Sequence, residues 1–404
     1  MKLTINTFTI LLCTLLFSSV QQANAQSKYI IERGKVDSLY SDILQESREI
    51  YIQMPDSYDP GSTQKYPVVY VLDGESILDA ASTVYNYYWG GFMPEMIFIG
   101  ISNLENRDRD LLESSTEFTS FLEKELIPFI ESNYPVTTYR TLIGHSFGGL
   151  FTINTLLKHT DLFDNYLAID PSLDRNDQEL VRQAKEAFSN QSFKGKSLFI
   201  SLGGQLHMQD YEITIDNVMN DSSEATLFAR SNIEFTKTAE AFPQNELNLM
   251  WKYYPHDLHG TVPLPSIMDG LIFLFTWFQM EDTDKFNNPD TPVEELLVVI
   301  RNREKKLQEH FGYKAPPYDE DLLIMLGYMS MDMDLLERSL TFFLLSIEYY
   351  PSSANTYDSL ADYYLAQNDF ENALKYVSKA FELSGSDYHK ERMEKFEENM
   401  DSKK

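Results

Sequence analysis

Gly144-His145-Ser146-Phe147-Gly148-Gly149 lies between an apolar strand-like run, Thr141–Gly144, and a helical pattern, Gly149–Lys158. G-x-S-x-G in that setting is a nucleophile elbow. The tight strand-to-helix turn holds the serine in a strained conformation and lifts its Oγ clear of the sheet edge. Gly144 and Gly148 are expected where a Cβ would strike the neighbouring strand or helix. The Phe147 N–H, at the start of the helix, is then aimed where an oxyanion forms during acyl transfer. Ser146 is the candidate nucleophile; the alternative is an incidental turn.

A serine needs a base, and in the α/β-hydrolases that this elbow resembles the chain order is nucleophile, acid, histidine. Of seven histidines, His159, His207, His256 and His259 follow Ser146 within the strand-and-helix region. His159 falls on the helix after the elbow, on the wrong side of the sheet. His256 and His259 both follow the last strand-like run, Leu249–Tyr254. Gly260-Thr261-Val262-Pro263 after His259 makes a sharp loop that can swing an imidazole over the sheet edge. His259 is therefore the candidate base and His256 the alternative. The acid is expected after the strand Ser197–Leu202, where Asp210 is the first carboxylate reached, with Glu212 and Asp216 behind it. Asp170 and Asp257 are also within range, and a dyad without an acid is a further option. A second oxyanion donor is expected from Asp73-Gly74-Glu75-Ser76, at the N–H of Gly74 or Glu75. Tyr85, Tyr87, Tyr88 and Trp89 are either a pocket wall or a helix-packing stripe, with the stripe favoured. No metal-ligand cluster or phosphate-binding loop is present, so neither metal nor cofactor is expected.

The elements that must hold these groups alternate along the chain. Arg48–Met54, Pro67–Leu72, Met96–Ile101, Thr141–Gly144, Tyr166–Ile169, Ser197–Leu202 and Leu249–Tyr254 read as strands, with helical patterns such as Phe118–Ser132 and Ser266–Phe278 between and after them. That alternation predicts a mostly parallel sheet flanked by helices, an α/β domain over 26–284. Asn287-Asn288-Pro289-Asp290-Thr291-Pro292 reads as part of a linker with a connecting helix over 285–319. Beyond it the pattern is all helical. Leu326, Gly327, Ser339, Ser346 and Pro351 recur 34 residues on as Leu360, Ala361, Ala373, Ala380 and Gly385. The first four pairs keep small or apolar residues where two helices cross closely, a tetratricopeptide-like pattern of two units, 320–353 and 354–387, with a capping helix to 404.

Residues 1–25 read as a signal peptide: Lys2, an apolar stretch from Phe8 to Val20, then Ala23-Asn24-Ala25 before the expected cut. This predicts an exported protein, periplasmic or secreted. The single cysteine, Cys13, leaves with the signal, so no disulfide framework or cysteine metal site is expected. The chain of 404 residues carries 33 Lys+Arg against 62 Asp+Glu, a net charge of −29. The excess is spread, −22 over residues 1–300 and −7 over 301–404. It is a general surface property that disfavours nucleic acid and anionic membranes as partners.

With these residues in place, the chain resembles the esterase family of α/β-hydrolases that includes enterochelin-esterase-like and esterase-D-type enzymes. The resemblance runs from about Arg33 to Met280 and rests on REIYIQMPDSYDP, YPVVYVLDGES, GISNLENRDRD, LIGHSFGGLF, IDPSL and HGTVPLPS. It implies an α/β-hydrolase fold, Ser146 as nucleophile, His259 as base, and Phe147 with the Leu72-Asp73-Gly74 loop as oxyanion hole. It also implies a structural Arg109-Asp110 pair. Gly203-Gly204-Gln205 and Asp170-Pro171-Ser172-Leu173 depart from the family pattern and leave the acid open. The expected activity is hydrolysis of a small-molecule or glycan-linked ester: a siderophore-type lactone, a hydroxycinnamoyl or acetyl glycan ester, or a short-chain acyl ester. The competing function is a non-catalytic scaffold, a retired hydrolase domain whose repeats recruit a protein partner or a second copy.

Overall fold

Eight strands form one sheet in the computed structural model, which describes residues 34–401 apart from 62–63 and 208–209. The expected signal peptide and Cys13 lie outside the described residues. The strands are β1 Lys35–Ser41, β2 Glu46–Gln53, β3 Tyr66–Leu72, β4 Ile97–Ile101, β5 Val136–His145, β6 Asn165–Ile169, β7 Ser197–Gly203 and β8 Asn248–Tyr254. Their order is β1-β2-β4-β3-β5-β6-β7-β8, antiparallel at the β1/β2 and β2/β4 pairs and parallel elsewhere. Strands β3, β4 and β6 are buried along their whole length, as strands covered on both faces must be. This is the mostly parallel, helix-flanked sheet expected from the alternation, and the α/β-hydrolase fold that the resemblance implies.

Helices cover both faces. On one side lie α2 Ser115–Phe121, α3 Ile127–Asn133, α4 Phe147–Lys158, α5 Arg175–Asn190 and α6 Leu227–Glu240. They bury Phe118, Phe121, Ile130, Phe151, Val181, Phe188 and Phe235 against Val68, Tyr70, Leu142 and Tyr166 of the sheet. On the other side, α1 Gly74–Phe92 and α7 Pro263–Leu274 bury Ile77, Ala81, Val84, Ile267 and Leu271 against Val69, Val71, Ile143 and Phe199. Tyr85 belongs to this core, packed on Phe98 at 5.1 Å and accepting the Met96 N–H, whereas Tyr87 is exposed. The helix expected over Phe118–Ser132 is interrupted by a π-helical stretch, Leu122–Leu126. Pro128, which has no N–H for the helical ladder, stands just beyond it.

The C-terminal part begins with α8 Thr283–Asn287 and α9 Val293–Phe311. A connecting helix was expected here, but α9 is part of two cores rather than a spacer. Its Leu307 and Phe311 enter the sheet-face cluster, while Leu296, Val299 and Ile300 pack with Leu323, Leu326 and Phe342. The remaining helices are α10 Glu320–Asp332, α11 Leu336–Tyr349, α12 Ala354–Ala366, α13 Phe370–Ser384 and α14 Asp387–Asp401. The starts of α12 and α13 fall 34 residues after those of α10 and α11. Ser339, Ser346, Ala361, Ala373 and Ala380 of the repeat pattern are all fully buried. A Cβ at Gly327 would lie 2.6 Å from the Phe343 ring, so the first pair crosses too closely for any larger residue. Lys35–Lys404 form one compact unit. The helical region meets the sheet at the starts of its strands: Tyr313 Oη donates to the Lys65 carbonyl at 3.1 Å, and Phe311 packs on Tyr139.

Candidate active site

The sheet order reverses direction around β3 and β5, and a cleft is expected at the carboxyl ends of strands at such a switch point. Three residues that immediately follow strands there, Asp73, Ser146 and Asp170, have φ of 51°, 59° and 43°. Positive φ is costly for residues with a Cβ and persists only where surrounding structure enforces it. Ser146 is enforced on both sides: its N–H donates to the Ile169 carbonyl at 2.9 Å, and its carbonyl accepts from the N–H of Leu150 and Ser172. A Cβ on Gly144 would lie 2.2 Å from the Gly148 carbonyl oxygen, so strand and helix meet with no room for a side chain. The second tight glycine is Gly149, not Gly148. At Gly149 a Cβ would be 2.9 Å from Pro171 Cβ, whereas at Gly148 the nearest atom is 3.5 Å away, an ordinary contact. Gly144→Ala should therefore cost more than about 3 kcal/mol and yield little folded protein. Gly148→Ala should melt close to the parent, as thermal unfolding of the two variants would show.

Ser146 Oγ lies 3.0 Å from His259 Nε2, and His259 Nδ1 lies 2.6 Å from Asp170 Oδ2. The Asp170 side chain is only 3% exposed, and its other oxygen accepts the Gly203 N–H at 2.9 Å. Its own N–H donates to the buried Ser201 Oγ at 3.1 Å. His259 is 39% exposed, so the serine–histidine pair faces solvent while the carboxylate behind it does not. Ser172 Oγ stands 3.2 Å from Ser146 Oγ, a partner the motif did not reveal.

Asp210 is not beside His259. It is exposed, its N–H donates to His207 Nδ1, and its Oδ1 accepts the Glu212 N–H at 2.9 Å. The loop after β7 folds on itself there, and Asp170, following the strand next to β5, already occupies the Nδ1 side of the imidazole. Glu212 and Asp216 are exposed, Asp257 accepts a hydrogen bond from Thr261 Oγ1, and His256 is exposed. Phe147 and Gly74 are the first residues of α4 and α1, positions whose N–H has no acceptor within the helix. The missing side chain at Gly74 serves packing rather than substrate approach, because a Cβ there would lie 2.6 Å from Gly100 Cα of β4.

Two guanidinium groups stand at the elbow, one of them paired with a carboxylate. Arg107 pairs with both oxygens of Asp73 at 2.8 and 2.9 Å and donates to the His145 carbonyl at 3.2 Å. The Arg107 and Arg175 guanidinium groups lie 5.0 and 5.2 Å from the centre of the Phe147 ring. Arg109 and Asp110 pair with each other and with Glu46 and Arg48 in a partly buried network that fixes the loop after β4. Among the described residues, no group of three or more His, Cys, Asp or Glu could hold a metal ion.

The fold and the elbow are those of the α/β-hydrolase class. The family described as "Putative esterase" matches residues 41–321, and the chain belongs to it. It is 29% identical over 172 residues to the siderophore enterobactin esterase of Emericella nidulans, spanning 39% of this chain and 55% of that one. It is 26% identical over 171 residues to the ferri-bacillibactin esterase BesA of Bacillus subtilis, spanning 34% of this chain and 58% of that one. The chain thus spans little more than half the length of these curated relatives. A crystal structure of an IroE-like serine hydrolase from Shewanella oneidensis superposes with a TM-score of 0.62 at 27% identity, covering 78% of this chain and 99% of that one.

Proposed function

We propose that the protein is an exported serine esterase that cleaves a siderophore-type ester through an acyl-enzyme. The observation that carries the mechanism is the hydrogen-bonded series Ser146 Oγ, His259 Nε2, His259 Nδ1, Asp170 Oδ2. Ser146 Oγ attacks the ester carbonyl carbon as His259 Nε2 takes its proton. Asp170 accepts from Nδ1–H, which keeps the proton off Nε2 in the resting imidazole and stabilises the imidazolium once formed. The Phe147 N–H, with a second N–H from Gly74 or Glu75, holds the tetrahedral oxyanion. The imidazolium then protonates the departing alkoxide, and water, deprotonated by His259, releases the acid. The siderophore reading draws on the two curated relatives. It is supported by Arg175 beside the Phe147 ring, which offers positive charge to an anionic ester in a chain that otherwise repels anions, whereas the charge of Arg107 is taken up by Asp73. Export rests on residues 1–25 and is checked by N-terminal sequencing of the mature chain, which should begin at Gln26.

The test is turnover of an iron-loaded trilactone siderophore and of a p-nitrophenyl acyl series, with fluorophosphonate labelling, beside Ser146→Ala. Labelling and all turnover should vanish in the variant, and the siderophore should have the highest kcat/KM. Preference for the simple esters would overturn the substrate. Absence of any Ser146-dependent turnover would overturn the mechanism and leave the scaffold reading.

A further inference from the structure

The residue before the nucleophile carries a second imidazole that the hydrolytic mechanism does not use. His145 is the last residue of β5, and its half-buried ring lies 4.6 Å from the ring of His259. Its Nε2 is 2.9 Å from the His259 carbonyl oxygen. A carbonyl oxygen can only accept, so this contact requires the proton on Nε2. The other side of the same residue is held as well, because the His259 N–H donates to Gln205 Oε1 at 3.3 Å. His259 is thus tied at its carbonyl by the elbow strand and at its N–H by the loop after β7.

From this geometry we infer that His145 is a positioning residue for the catalytic base: its Nε2–H holds the His259 main chain so that the imidazole meets Ser146 and Asp170 together. The inference rests on the role of His259 proposed above. The base sits on a largely exposed loop, 255–261, which is held at the Asp257 and Leu258 carbonyls, while the His259 carbonyl itself is held by His145. Displacement by about 1 Å is enough to cost a hundredfold in rate, so a main-chain anchor has kinetic consequences. The anchor extends backwards, since the His145 carbonyl accepts from Arg107, which is clamped to Asp73 at the end of β3. The charged and titratable groups facing the His145 ring are His259, Asp170 and Arg107. Burial, and then the neighbouring His259, push His145 down to about 4, so it stays a neutral donor throughout the range in which a histidine base works. A second imidazolium 4.6 Å from the one that forms at His259 would oppose proton transfer; a neutral ring does not.

The test compares His145→Gln, whose amide can donate from a similar reach, with His145→Met, of similar length and without a donor. For a p-nitrophenyl ester, His145→Met should lose about ten- to a hundredfold in kcat with KM little changed, and its fluorophosphonate labelling should slow in parallel. His145→Gln should recover most of both. Equal losses in the two variants, or a His145→Met enzyme with parental kcat, would overturn the inference. Nitrogen NMR of the unmodified protein decides even if the Met variant does not fold. At pH 7 His145 should be the neutral Nε2–H tautomer, and an Nδ1–H tautomer would overturn the inference. Loss of Ser146 dependence would instead count against the mechanism itself.

Discussion

Asp170→Asn should lower kcat by on the order of 10⁴-fold, while Asp210→Asn should leave it within about twofold of the parent. The asymmetry follows from what each oxygen of Asp170 does. Oδ1 accepts the Gly203 N–H, and Oδ2 faces His259 Nδ1. In the amide the remaining oxygen stays on Gly203, which can only donate, so the NH2 turns toward His259. Nδ1 must then accept, the ring proton moves to Nε2, and the base faces Ser146 with its donor rather than its lone pair. The backbone conformation should survive, because Asn tolerates the positive φ of this position better than most residues. Asp210, in an exposed local turn, has no link to the imidazole. Steady-state kcat for the two variants, with circular dichroism to confirm folding, is the measurement. Comparable activity of Asp170→Asn and the parent would remove Asp170 from the mechanism and restore the dyad.

The parts that were legible in the sequence are those encoded locally. GHSFGG carries its own turn chemistry, and apolar runs such as Pro67–Leu72 announce buried parallel strands whatever surrounds them. The carboxylate was not legible, because chain order names a loop and the sheet decides which carboxylate fills it. His145 pairs with Ile169 in register, so the residue after β6 emerges beside the residue after β5. That neighbour relation exists only once the strands are paired; the sole local hint was Asp170-Pro171-Ser172 directly after an apolar run. Strand β1 went unseen because it is an edge strand with Val36 and Tyr40 exposed, so no apolar alternation marks it. Gly148 was credited with the crowding that belongs to Gly149, since the loop containing Pro171 that presses there is more than twenty residues away in the chain. Helix α9 read as a connector because its apolar positions split between two cores and neither set alone forms a full stripe.

That division of α9 makes the C-terminal boundary testable. A chain ending after Asp284 should fail to give soluble, cooperatively folding protein, and Phe311→Ala in the full chain should cost about 3–5 kcal/mol. Phe311 is 5% exposed and sits against Tyr139, Trp277, Phe278 and Tyr313, while Leu307, one turn earlier, is 2% exposed in the same cluster. Losing both strips the cover from the sheet face at Tyr139, and their combined cost approaches the whole stability of a typical domain, about 5–15 kcal/mol. Activity should behave differently. Tyr139 and Ser146 lie seven residues apart along β5 and the turn that follows, on the order of 20 Å at the rise of a strand. The helices therefore support the sheet from the end remote from the nucleophile. Phe311→Ala should lower the urea midpoint yet leave kcat per folded molecule unchanged. If kcat instead falls in fully folded Phe311→Ala, the helical region acts on the active site through β5, and its role is more than support.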